Sequence, residues 1–265
     1  ILAIKVMQEQ GIDVIPIIFY SPFFGFDAMR DPEGFKKTHA DKYGMNIHAI
    51  DYTDDIIQIV GNPPHGFGKH LNPCIDCKIG MLRKSRHLLE TLNASFIITG
   101  EVLGQRPMSQ RRDTMKIIEK ESGLSDILLR PLCARYLPET LPERLGLIKR
   151  DALWDLRGRG RKIQIARALT YGIKEEDIPT PAGGCLLTDA HISIKVKQTF
   201  QRCLPSLPGI ADIMLDVVGR KFVLDSATML VVSRNEEENN LLSTMRHPGN
   251  IFLKINEVPG PLCIM

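Results

Sequence analysis

Three cysteines differ from the rest in what surrounds them. Cys74 and Cys77 form a Cys-x-x-Cys pair after Asn72-Pro73, and Cys185 ends the string Thr180-Pro181-Ala182-Gly183-Gly184-Cys185. Gly, Pro and polar neighbours place them on loops or at a helix start, where a thiolate acts as nucleophile or metal ligand. Cys133, Cys203 and Cys263 lie in mostly apolar surroundings and read as small buried hydrophobes. Six cysteines in 265 residues are not a disulfide scaffold. A second signal is Thr99-Gly100-Glu101-Val102-Leu103-Gly104-Gln105, followed by Ser109-Gln110. It comes directly after the apolar run 94–98, which reads as a buried parallel strand. Small and polar residues there form a loop at the carboxyl edge of an open α/β sheet, the edge where such sheets bind ligands. A nucleotide pocket with thiols beside it points to sulfur chemistry.

The elements that must position these groups are read from periodicity. Helices are expected over 1–10, 32–43, 54–60, 74–92 and 111–121, with Gly11, Gly44 and Gly123 as stops. Strands are expected over 14–19, 46–50, 95–98 and 127–129. Pro16 weakens the first of these or places it near an edge. Strand and helix alternate, which argues for a doubly wound, mostly parallel α/β sheet. The stretch 138–171 reads as helix broken at Pro142 and Gly146, 172–189 as loop, and 190–203 as helix. The segment 205–209 is a Pro/Gly linker. Beyond it, strands at 221–224, 229–232 and 251–254 and a helix near 236–245 make a small α+β module. The expected domains are therefore 1–204 and 209–265, with the second possibly truncated after 258–261. The chain opens inside an amphipathic helix, so the strand that normally precedes it is expected to be missing.

Composition is that of an ordinary soluble globular chain, 43% hydrophobic and 25% charged. No apolar run approaches the ~20 residues that span a bilayer, and no signal peptide is visible, so a cytoplasmic location is expected. The net charge of +3 is mild, but seven Lys/Arg against two acids lie between Lys149 and Arg167. Arg157, Arg159, Arg161 and Lys162 suit RNA phosphates, with a solvated helix face as the bland alternative.

The Thr99–Gln105 string, Ser109-Gln110 and Leu129-Arg130-Pro131-Leu132 resemble the tRNA 4-thiouridine synthetases. Asn72-Pro73-Cys74-x-x-Cys77 resembles the tRNA 2-thiouridylases. Both belong to the PP-loop ATP pyrophosphatases, and the resemblance spans roughly residues 1–190. Val232-x-Arg234-Asn235-Glu236-x-Glu238-Asn239 and Pro248-Gly249-x-Ile251 are similar to the RNA-binding domain of the NFACT family. The resemblance implies a PP-loop, adenine nucleotide hydrolase-like fold, whose Ser-Gly-Gly-x-Asp-Ser loop is absent from this numbering. It also implies an ATP-dependent tRNA sulfurtransferase of the cytoplasm, working with Mg²⁺ and a sulfur donor such as a cysteine desulfurase, and no membrane.

In that family ATP adenylates a uridine carbonyl oxygen, and a sulfur nucleophile then replaces it. Carried onto this chain, Cys74, Cys77 and Cys185 are the catalytic candidates, Cys74 favoured as thiolate by the helix dipole and with Lys78 nearby. Phe19, Tyr20 and Ser21 would hold adenine. Thr99, Gly100, Glu101, Gln105 and Gln110 would meet nucleotide, with Glu101 on Mg²⁺ or ribose. The same three cysteines are alternatively ligands of a [4Fe–4S] cluster. Zinc would need a fourth ligand such as His65 or His70. A purely structural Cys74–Cys77 pair and a ligand-free polar loop are the bland alternatives. The rival functions are a PP-loop enzyme that adenylates a small molecule, and an RNA-binding protein with a vestigial nucleotide site.

Overall fold

The computed structural model describes residues 1–179, 184–225, 228–245 and 249–265. The chain divides into two units. The first comprises Ile1–Ser21, Gly25–Gly68 and Pro73–Gly184, and the second Pro22–Phe24, Lys69–Asn72 and Cys185–Met265.

The first unit is mixed α/β. In chain order it holds α1 (Leu2–Gln8), β1 (Ile17–Tyr20), α2 (Phe26–Arg30), α3 (Pro32–Tyr43), β2 (His48–Asp51), α4 (Thr53–Gly61), α5 (Cys74–Thr91), β3 (Ile97–Ile98), α6 (Arg112–Ser122), β4 (Leu128–Leu129), α7 (Leu141–Arg144) and α8 (Lys162–Thr170). Local signals explain the clearest boundaries. Asp31 caps α3, its Oδ1 accepting from Gly34 N at 3.0 Å, and Pro32 occupies the first turn. Gly44 and Gly123 end α3 and α6 at φ +65° and +70°, the left-handed conformation glycine adopts without strain.

The strands pair as β1 with β2 and β3 with β4, each pair parallel. Ile17 lies opposite His48, and Ile97 opposite Leu128. Among the described residues these are two separate two-stranded sheets rather than one continuous doubly wound sheet. Ile17 and Phe19 of β1 and Ile97 and Ile98 of β3 line a common cleft of about 880 Å³, so the two pairs share a cavity and no ladder. Ile79 and Leu82 of α5 pack on Ile118 of α6 with Leu124 and Leu128. Each such buried side chain contributes roughly 1.5–3 kcal/mol. A second cluster joins Val6 and Met7 of α1 to Val102, Leu129, Leu132 and Leu153.

Of the helix expected over 138–171, broken at Pro142 and Gly146, only the short α7 and α8 form. Pro142 sits in the first turn of α7, and α8 starts only at Lys162. Between them the chain is pulled along its neighbours by backbone bonds. Trp154 N donates to Pro131 O at 2.9 Å, Leu156 N to Leu132 O at 2.9 Å, and Gly158 N to Leu103 O at 2.8 Å. Apolar spacing at 153–156 reflects burial of this strap, not a helical face.

The second unit holds α9 (Ala190–Cys203), α10 (Ile210–Val217), β5 (Arg220–Val223), β6 (Met229–Val232), α11 (Glu236–Thr244), β7 (Phe252–Leu253) and β8 (Cys263–Ile264). The contact boundary falls at Cys185, earlier than residue 204, because α9 packs with α10 and β5. Lys221 Nζ donates to Thr199 Oγ1 of α9 at 2.8 Å and pairs with buried Asp216 of α10. The antiparallel sheet runs β5-β6-β8-β7. Periodicity does not predict α10 or β8, yet β8 pairs both neighbours, with Ile264 opposite Val231 and Phe252.

Gly80 of α5 marks a close approach. A Cβ there would lie 2.0 Å from Tyr52 Oη, and the Tyr52 ring is fully buried. Gly80→Ala should therefore destabilise the fold by about 1–3 kcal/mol through overpacking. Gly100→Ala, with nothing within 4 Å of its Cβ, should stay within about 0.5 kcal/mol. Urea denaturation of both variants checks this. Equal midpoints would show that the Tyr52 contact yields freely.

Candidate functional site: a thiol pair and a strand-end loop

Cys74 and Cys77 stand one turn apart at the start of α5, both half-buried. Pro73 is the N-cap and offers no side-chain cap. The turn closes by Cys77 N donating to Pro73 O at 2.8 Å, and Tyr52 Oη reaches Cys77 O at 3.4 Å. Lys78 comes next, its Nζ 3.9 Å from Glu101 Oε1. The residue after the thiol pair thus faces the loop that leaves β3.

That loop is held by a buried ion pair. Glu101 Oε2 accepts from Arg130 Nε at 3.0 Å and from Thr99 Oγ1 at 3.1 Å. Arg130, in the Leu129–Leu132 string, is fully buried and also pairs with Glu119 of α6. Burial alone would push the Glu101 carboxyl up, but Lys78 and Arg130 outweigh it and hold it below the usual glutamate range. Burial likewise opposes the Arg130 charge, and Glu101 and Glu119 overcome it. Cys133 is buried, its Sγ donates to Glu101 O at 3.3 Å, and burial pushes its thiol up to about 11. It is an inert packing residue, as its apolar surroundings suggested.

The expected nucleotide residues fall into two groups. Phe19, Thr99 and Gly100 line the 880 Å³ cleft together with Lys78. Tyr20, Ser21, Glu101, Gln105 and Gln110 do not line it. Tyr20 O accepts from Tyr52 N at 2.9 Å, and Ser21 is fully buried. Glu101 is spent on Arg130, and only its Oε1, which accepts no hydrogen bond among the described residues, is left to face Lys78. Gln105 Nε2 donates to Gln164 Oε1 of α8 at 2.8 Å, while Gln110 O accepts from Gly104 N at 2.7 Å.

The basic residues lie beside this loop. Leu103 and Arg157 form a parallel β-bridge. Arg157 is exposed and stacks 5.2 Å over the Tyr136 ring. Arg159 and Lys162 are exposed, while Arg161 donates to Pro179 O at 2.8 Å. Residues 157–161 are strap and turn, so the solvated helix face does not apply to them.

Cys185 belongs to the second unit, where its carbonyl accepts from Thr188 Oγ1 at 2.7 Å. Residues 180–183 before it lie outside the described residues, as does Pro248. Cys74 and Cys77 supply two thiols on one turn, short of the three or four ligands a cluster needs. Among the described residues no group of three or more His, Cys, Asp or Glu is arranged to hold a metal ion. The sequence places Lys78 beside the thiols but does not show its partner, and it does not show the Arg130–Glu101–Glu119 network, although both strings that carry it are visible. No local signal pairs residues that far apart.

Parallel strand pairs, a thiol pair heading a helix and a pinned strand-end loop make this a mixed α/β protein. Residues 3–136 match the family model described as Thiamine biosynthesis protein (ThiI), half of the chain, and the chain belongs to that family. The match includes Cys74, Cys77, Lys78, Glu101 and Arg130 and stops before the basic strap and Cys185. No curated protein and no solved structure matches the chain.

Breaking the buried network should be severe. Arg130→Met leaves Glu101 buried without its cation and should lower stability by about 3–5 kcal/mol. Because the folded Glu101 value is depressed, its contribution is present above the ordinary glutamate pKa and is lost as pH falls through the folded value. Urea titrations of wild type and variant between neutral and acid pH read both effects. A loss under about 1 kcal/mol would mean the pair is dispensable.

Proposed function

We propose that this chain is an ATP-dependent tRNA sulfurtransferase that makes thiouridine. The observation that carries the reading is the family match across both the Cys74–Cys77 helix and the Thr99–Gln110 loop, with Lys78 joining them. In this reading the first unit is a PP-loop domain. The second unit is an NFACT-like RNA-binding module. Its motif residues hold that module together. Asn235 caps α11, Arg234 pairs with Glu238, and Asn239 Oδ1 accepts from Leu262 N at 2.7 Å.

The chemistry runs in successive displacements. The uridine carbonyl oxygen attacks the α-phosphorus of ATP and pyrophosphate leaves. The outer sulfur of a cysteine persulfide then attacks the activated carbon, and AMP leaves with the former carbonyl oxygen. A second cysteine thiol attacks the persulfide's inner sulfur, the S–S bond breaks, thiouridine leaves, and a dithiol reductant reopens the cysteine disulfide that results. ATP with Mg²⁺ would occupy the cleft at Phe19, Thr99 and Gly100, with Lys78 reaching its phosphates. Cys74, Cys77 and Cys185 would carry the sulfur, loaded by a donor such as a cysteine desulfurase. Arg157, Arg159, Arg161 and Lys162 would hold tRNA phosphates next to the nucleotide loop, because the Leu103–Arg157 bridge sets the two side by side. On the first unit, Cys74 and Cys77 alone do not complete a [4Fe–4S] ligand set. The family's description favours a second reading, in which the acceptor of the sulfur is a small-molecule precursor of thiamine rather than RNA.

Two measurements test this. With full-length protein, ATP, tRNA, a cysteine desulfurase with cysteine and a dithiol reductant, Cys77→Ser and Cys185→Ser should each reduce thiouridine formation by about 10²-fold or more, as expected for loss of a nucleophile. Full activity in Cys185→Ser would sink the two-sulfur mechanism. Thiolation of a small carboxylated acceptor with no product on tRNA would favour the thiamine reading.

The second is salt dependence. Each phosphate contact adds a slope of about −0.9 on duplex and roughly −0.7 on single strands to log K against log salt. Replacing Arg157, Arg159 and Arg161 together should flatten the slope by about two to three units and weaken all tRNAs alike. An unchanged slope in filter-binding titrations would leave those arginines as solvated surface.

A further inference from the structure

His65 stands in the Gly/Pro-rich loop between α4 and α5, and three hydrogen bonds fasten it. Its backbone N–H donates to Asp76 Oδ2 at 3.1 Å, Nδ1 lies 2.7 Å from Asp76 Oδ1, and Nε2 lies 3.1 Å from Glu121 Oε1. Asp76 is buried and sits between the two thiols in Cys74-Ile75-Asp76-Cys77. Glu121 is half-exposed near the end of α6. A neutral imidazole has one N–H, so it satisfies only one of these carboxylates and turns a lone pair toward the other. The imidazolium donates to both. Both ring nitrogens are therefore occupied, which removes His65 as the fourth zinc ligand considered from sequence.

The first turn of α5 needs such a fastening. Its N-cap, Pro73, provides no side-chain cap. We propose that His65 is a positioning residue for the thiol pair: as an imidazolium it ties the loop before α5 to Asp76 and to α6, and so fixes the turn that carries Cys74 and Cys77. The proposal rests on those cysteines being the sulfur site.

The charged groups facing the ring are Asp76 from α5 and Glu121 from α6. Arg83 of α5 donates Nε to the Glu121 carbonyl at 2.9 Å and steadies that arm. The Asp76 hydrogen bond raises the His65 value above that of free histidine, burial opposes it, and the Asp76 and Glu121 charges add to the rise. The clamp is thus complete below the ordinary histidine pKa and is lost as pH rises through the higher folded value.

The test is the rate at which iodoacetamide labels each cysteine of the reduced full chain, followed by mass spectrometry from pH 5.5 to 9. In wild type, labelling of Cys74 and Cys77 should show a step at the His65 titration beyond the thiolate dependence. His65→Gln should abolish that step and raise labelling at low pH roughly tenfold, because local opening no longer breaks charged hydrogen bonds. Labelling of Cys185 should be unchanged. Glu121→Gln, a half-exposed change that preserves the fold, should move the step to lower pH together with the His65 imidazole resonance. Superimposable Cys74 and Cys77 profiles in wild type and both variants, or a His65 that titrates as free histidine, would overturn the clamp. Labelling needs no turnover. A clamp seen in labelling without thiolation by any form of the protein would refute the sulfurtransferase reading and leave the clamp standing.

Discussion

A guanidinium with no exposed surface has to be answered by fixed charge, because the desolvation of an unpaired ion exceeds what a small unit of structure can offset. Arg130 is answered twice, by Glu101 and Glu119, and this places three elements at once. Glu119 belongs to α6, Arg130 comes directly after β4, and Glu101 lies in the loop after β3. Fixing Glu101 fixes Thr99, whose hydroxyl donates to it, and sets an oxygen before Lys78 on the thiol-bearing helix. Cys133 adds a weak bond to the same loop from below. The polar loop thus owes its shape to a buried pair. A ligand there would meet the backbone and the small side chains of Thr99 and Gly100 more than the Glu101 carboxylate.

Backbone bonding extends the arrangement to the basic strap. Leu103 and Gly104 are tied on one side to Gly158 and on the other to Gln110, so backbone hydrogen bonds join the strand-end loop to the cationic segment. Glycine matters at Gly158, which takes φ +83° as the chain leaves the bridge. Arginines at 157 and 159 project from a strap rather than from a helix, and stacking on Tyr136 holds the first of them in place.

The thiol pair is controlled from other directions. Tyr52 packs edge-on to Phe19 at 5.4 Å, fills the space that Gly80 leaves open and touches the Cys77 carbonyl. His65 holds Asp76 from the loop side. An uncapped helix start, which alone would fray, is braced by an aromatic ring and a carboxylate-bound histidine. In the second unit the buried Lys221–Asp216 pair plays a comparable part, joining β5 to α10 and α9.

Sequence alone settled what depends on neighbours in the chain. Helices α3, α5, α6 and α9 were legible to within a residue or two, because Asp31, Pro32, Gly44 and Gly123 are local start and stop signals and the apolar spacing is regular. The parallel strands, the thiol pair and the strand-end loop were legible for the same reason, and the motifs in them carried the family. Residues 145–161 were misjudged, since apolar spacing cannot separate a helical face from an extended strap packed on Pro131 and Leu132. β8 was missed because two residues become a strand only through the partners on either side. Tertiary structure alone decided that Glu101 answers Arg130, that Lys78 faces Glu101, that Arg157 lies beside Leu103, and that His65 serves Asp76 rather than a metal. Those pairings join residues from 11 to more than 50 positions apart, and a charge finds its partner in space through burial, which leaves no periodic trace in the chain.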